Sequence, residues 1–136
     1  MTIAVFSQND RFGEHRDKIK ALKVALITEK LDLSASEAEK FWPVYNAFEK
    51  QQELSRQKSH DKRDDINFEA LSENEAQKLL DEMVASGKMR YDLYNKFILD
   101  LNQFLPAKKI ILLKKVEEEF KRKMLKEFQK RRNGRQ

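Results

Sequence analysis

Two histidines, His15 and His60, and no cysteine are what 136 residues offer to nucleophilic or transition-metal chemistry. Without cysteine there are no disulfides, no thiol catalysis and no thiolate-ligated metal. Two histidines cannot complete a three-histidine zinc site within one chain. His60 and Asp64 lie one helical turn apart, and Asp61 and Asp65 repeat the spacing. Such an i, i+4 pair supplies two metal ligands, and further ligands would have to come from elsewhere or from a second subunit. A polar hinge accounts for His60 and Asp64 more simply, and His15 beside Glu14 offers less still, so neither metal nor cofactor is expected. The carboxylate pairs Glu37/Glu39 and Asp64/Asp65 fall on helix faces expected to be solvated. A catalytic carboxylate needs a cleft that shifts its pKa. The expectation is therefore a protein that is not an enzyme.

The other chemically loaded feature is charge. The chain carries a formal net charge of +5. Residues 106–136 hold 12 Lys or Arg against 4 Asp or Glu, a net +8, and the rest holds 16 against 19, a net −3. Lys108, Lys115, Arg122 and Lys126 line up along one side of a helix, opposite Leu113, Val116, Phe120, Met124 and Phe128. These four cations are the expected partner-binding residues. Nucleic acid is not the expected partner, because the aromatics sit at helical core spacing and are not interleaved with cations as stacking platforms. A helix apolar on one side and basic on the other could lie on a membrane surface, but packing of the apolar side in the core is favoured. No run approaches the roughly 18 apolar residues of a membrane span.

Three glycines and two prolines in a chain that is 38% charged exclude turn-rich sandwiches and Gly-rich phosphate loops, and point to long helices. A first helix is expected over Glu14–Leu31, with Ile19, Leu22, Leu26 and Leu31 near one face and Val24 and Ile27 widening it. Ser34 with Glu37 forms a capping box that opens a second helix at Ala35. There Phe41, Tyr45 and Phe48, with Trp42, form an aromatic cluster around Pro43, which removes a backbone bond and is expected to kink the helix. Glu49–Asp65 is almost wholly polar, with Leu54 its sole large apolar residue, and should be an exposed extension that frays near His60–Asn67. Ser72 with Glu75 repeats the capping box.

A third helix then carries a near-heptad stripe: Ala76, Leu80, Met83, Gly87, Tyr91, Tyr94, Ile98, Leu101 and Leu105. A stripe this long points to self-association. Gly87 lies on it as a point of close approach. Pro106 fits the first position of a fourth helix. Residues 1–13 are expected to be a disordered N-terminus or the remnant of an export signal, with Val5 and Ser7 as small residues at a cleavage site. Residues 14–128 should form one helical domain, and 129–136 a basic disordered tail.

Leu33-Ser34-Ala35-Ser36-Glu37 and Leu105-Pro106-Ala107-Lys108-Lys109 resemble the LTxxQ motif of the Spy/CpxP family, one opening the second helix and one the fourth. Serine or proline stands where that motif has threonine. The stretches Ile19–Leu33 and Glu37–Asn46, with Phe-Trp-Pro-Val-Tyr-Asn, are similar to a branch described as sensors of extracytoplasmic-function sigma factors. The resemblance spans about residues 16–128. It implies an all-α periplasmic stress protein: four helices in long antiparallel hairpins, forming an antiparallel homodimer shaped like a shallow cradle. It also implies ATP-independent binding of unfolded clients, or else regulation as a sensor or interaction protein in extracytoplasmic sigma-factor or metal-stress signalling, through an envelope signalling partner. Were the export reading to fail, the compartment would be the cytoplasm.

Overall fold

A computed structural model describes residues 7–134, with side chains from residue 14 onward. The described chain is all-helical: α1 (Ser7–Leu31), α2 (Ala35–Asp64), a 3₁₀ turn (Phe68–Ala70), α3 (Glu73–Asn102) and α4 (Ala107–Asn133). The helices begin and end for local reasons. Ser72 has an extended backbone (φ −76°, ψ 160°), and its hydroxyl accepts the Glu75 amide at 3.2 Å, as an N-cap does. Past the end of α1, Asp32 takes a left-handed φ of 46°, which a short polar side chain tolerates. Lys109 Nζ donates to the exposed Asp32 carbonyl at 3.0 Å, tying that turn to the start of α4.

Several expectations need correction at element ends. α1 begins at Ser7, seven residues ahead of the expected Glu14. The expectation for residues 1–6, Val5 included, lies outside the described residues. Pro106 is the N-cap of α4 and not its first residue, since its carbonyl already accepts the Lys109 and Ile110 amides at 3.0 and 3.3 Å. The expected tail 129–136 is helical through Asn133. Lys130, Arg131 and Arg132 lie in that last turn, where cations oppose the negative end of the helix dipole. α2 passes through Pro43 without a break. Proline has no amide to give the Glu39 carbonyl, and both residues lie on the exposed side of the helix.

The helices pair as α2 with α3 and α1 with α4, dividing the chain into two compact units. The middle unit, Ala35–Leu105, buries Phe41, Tyr45, Phe48, Phe97, Leu101 and Leu105. Its helices run antiparallel: Phe48 stacks on Phe97 with ring centroids 4.1 Å apart, and further along Lys62 Nζ meets Glu82 Oε2 at 3.2 Å. Phe41 stacks on Tyr45 at 5.3 Å, and Trp42 sets its edge against both rings. The expected aromatic cluster is therefore core, except that Trp42 is half-buried.

The other unit joins the two ends of the chain. α1 contributes the buried Ile27 and Leu31, and α4 contributes Ile110, Leu113, Val116 and Phe120. Lys23 and Glu117 bridge the two helices at 3.5 Å, with both side chains largely covered by their surroundings. Leu22 was expected on the buried face of α1 but is 56% exposed, because its five-residue offset from Ile27 turns it to the far side of a 3.6-residue helix. Phe128, expected to pack with Phe120, is 66% exposed.

The α3 stripe departs furthest from expectation. Leu101 and Leu105 are buried, but Leu80, Met83 and Tyr91 are exposed. The cause is the partner helix. Antiparallel pairing sets the first half of α3 beside the polar second half of α2, which has no large apolar side chains facing it except Leu54, itself exposed. Apolar residues on α3 there have nothing within the unit to bury against.

Candidate protein-binding surface

α4 is amphipathic because its apolar residues recur at three- and four-residue steps through Ile110, Leu113, Val116 and Phe120. That stripe faces the core and turns the remaining positions outward. Lys108, Lys115, Arg122 and Lys126, spaced i, i+7, i+14 and i+18, are all exposed and lie on one side of the helix. The structure thus brings the four sequence-predicted cations together.

Sequence reasoning missed the apolar side chains beside them. Ile111 is 70% exposed and sits between Lys108 and Lys115 at three- and four-residue steps. Leu125, 54% exposed, follows Arg122 by three residues. Their signal was present in the sequence: one apolar stripe on α4 accounts for Ile110 and Leu113, and leaves Ile111 and Leu125 off it. Glu118 and Glu119 are exposed in the same stretch and interrupt the cations, while Glu117 is drawn to Lys23 on α1. The surface is a mixed one, with cations at its edge and isolated apolar groups within it. Dispersed cations attract many acidic partners, and exposed apolar side chains add a weak, reversible grip.

Ser72 and Glu75 form a hydrogen-bonded cap, and α2 starts at Ala35, directly after Ser34, with Glu37 in its first turn. His60 Nδ1 stands 3.2 Å from Asp64 Oδ2, with both side chains exposed. Among the described residues, no group of three or more His, Asp or Glu converges on one point that could hold a metal. No described helix is long and apolar enough to cross a membrane.

No family model, curated protein or solved structure matches the chain.

Proposed function

We propose that this protein is a periplasmic stress protein that holds unfolded proteins without ATP, through the exposed face of α4. The observation that carries this reading is the juxtaposition of Ile111 and Leu125, both more than half exposed, with Lys108, Lys115 and Arg122 one helical turn away. Such a face offers dispersed charge and isolated apolar groups in place of a set of groups fixed around one ligand. It suits chains that expose apolar segments and acidic groups in no fixed geometry. The resemblance to the LTxxQ motif points the same way and is what favours the periplasm.

The test is aggregation of an unrelated, thermally unfolded protein with this chain in several-fold excess. Suppression is expected. Replacing Lys108, Lys115, Arg122 and Lys126 together with glutamine should remove most of it. Raising salt toward 1 M, where the screening length falls to about 3 Å, should weaken it too. Aggregation that proceeds unchanged overturns the reading.

The chain would act as an antiparallel homodimer. Leu80, Val84 and Tyr91, exposed along one side of α3 at four- and seven-residue steps, are what a second copy would cover. Sedimentation equilibrium should find a dimer that Tyr91→Glu converts to monomer. A wild-type monomer at high concentration would refute this assembly.

A second reading, a regulatory partner in envelope or sigma-factor signalling, rests on Phe68. It stands 81% exposed in the turn between α2 and α3, placed as a single aromatic anchor would be. One tight partner captured in a Phe68-dependent way, without suppression of aggregation, selects this reading over the first.

A further inference from the structure

We propose that the middle unit carries a binding site for a multiply charged oxyanion of the phosphate type, held by Arg56, Arg63 and Arg90. The three arginines line a cavity of about 220 Å³ between α2 and α3, with Ser55, Ser59 and Gln52. No carboxylate is among its lining residues. In a chain that is 38% charged and holds 23 Asp and Glu, a cavity with three arginines and no acid is a strong local bias.

The sequence and the pairing build this site together. Gln52, Arg56, Ser59 and Arg63 follow one another at steps of four, three and four, so they share one face of α2. The stacking of Phe48 on Phe97 and the bridge from Lys62 to Glu82 fix the register of α3. Between those two points Arg90 comes abreast of that face. Gly87, one turn earlier on α3, leaves the space that the Arg90 side chain takes: a Cβ placed there would stand 3.9 Å from Arg90 Nη2. An alanine would fit, but a longer side chain would compete for the position.

The charges around the cavity are poorly compensated within the chain. Among the described residues, neither Arg63 nor Arg90 has an ion-pair partner, and Arg56 reaches only Glu53, at 3.9 Å. His60, also on the rim, is turned to Asp64 at 3.2 Å. Three cations held near one another repel, and an anion between them removes that cost. Guanidinium forks match the oxygens of a phosphoryl group two at a time, which a lysine cannot do. The hydroxyls of Ser55 and Ser59 and the Gln52 amide supply further neutral donors. The cavity is far larger than one water needs, so the anion would be held partly through water.

Calorimetric titration of the full chain with inorganic phosphate, at fixed ionic strength balanced by chloride, tests this. Saturable binding of one phosphate per chain is expected. Arg63→Gln combined with Arg90→Gln should lower the affinity at least tenfold. The matching lysine variants should fall between, because charge is kept and the fork is lost. Lys20→Gln on α1 should change nothing. All three arginines are exposed, so these variants keep their helices by circular dichroism. Vesicles of phosphatidylcholine with and without phosphatidic acid separate the sources. Arginine-dependent capture on phosphatidic acid assigns the phosphoryl group to a lipid, and phosphate binding without capture assigns it to a free ion. Absence of saturable phosphate binding, or equal loss in Lys20→Gln, overturns the site.

Discussion

Phe97→Ala is expected to lower the unfolding free energy by about 3–5 kcal/mol, the range for deleting a buried aromatic ring. Phe97 is only 4% exposed, stacks on Phe48 at 4.1 Å and also meets Tyr45 at 6.2 Å. Its removal takes away a ring of α3 on which two α2 aromatics, Phe48 and Tyr45, rest. Against a total stability of about 5–15 kcal/mol for a typical domain, the loss is a large share. Trp42, the single tryptophan, packs edge-on to Phe41 and Tyr45, so its fluorescence reports this core directly. Urea titration followed by Trp42 emission should show a midpoint moved well below wild type. A shift worth less than about 1 kcal/mol would mean that Phe97 is not the keystone of the α2–α3 contact.

The sequence was most legible where the deciding interaction is local. Ser72 and Glu75 announce a helix start three residues apart, and the hydrogen bond forms where the spacing places it. The all-α class followed from scarce glycine and proline, for the same reason: both act on their own turn of chain. Partner choice was not legible. The apolar stripe of α1 says that Ile27 and Leu31 need a cover but not that α4 supplies it, since periodicity defines a face and not its neighbour. The same gap explains the α3 stripe. Its heptad spacing is real, yet burial needs an apolar partner at the matching height, and antiparallel pairing sets polar Gln52–Arg63 there. The candidate cation row on α4 was readable because Lys and Arg at i, i+7 and i+14 share a side of any helix. Ile111 and Leu125 were legible only as apolar residues off the main stripe, because hydrophobicity alone does not say which residues a partner helix will cover. The Arg56–Arg63–Arg90 cluster needed the register between two helices, information that no single stretch of sequence contains.

That distinction between core and surface on α4 leads to a paired result. Leu113→Ala is expected to cost about 2–5 kcal/mol of stability, because Leu113 is 1% exposed among Ile110, Val116 and the α1 residues it meets. Ile111→Ala, two residues earlier, is expected to cost less than about 1 kcal/mol. Its side chain is 70% in water already, and alanine improves helix propensity over a β-branched residue by a few tenths of a kcal/mol. Function should reverse the order. If the exposed face of α4 grips clients, Ile111→Ala weakens suppression of aggregation while the folded chain stays intact. Leu113→Ala keeps that face at temperatures where the protein remains folded, and so keeps the activity there. Thermal denaturation followed by circular dichroism measures the first contrast, and the aggregation assay run well below both melting points measures the second. A variant set in which activity simply tracks stability would place the grip elsewhere. It would direct attention to the exposed side of α3, where Leu80, Val84 and Tyr91 then become the client contacts and a second copy can no longer be what covers them.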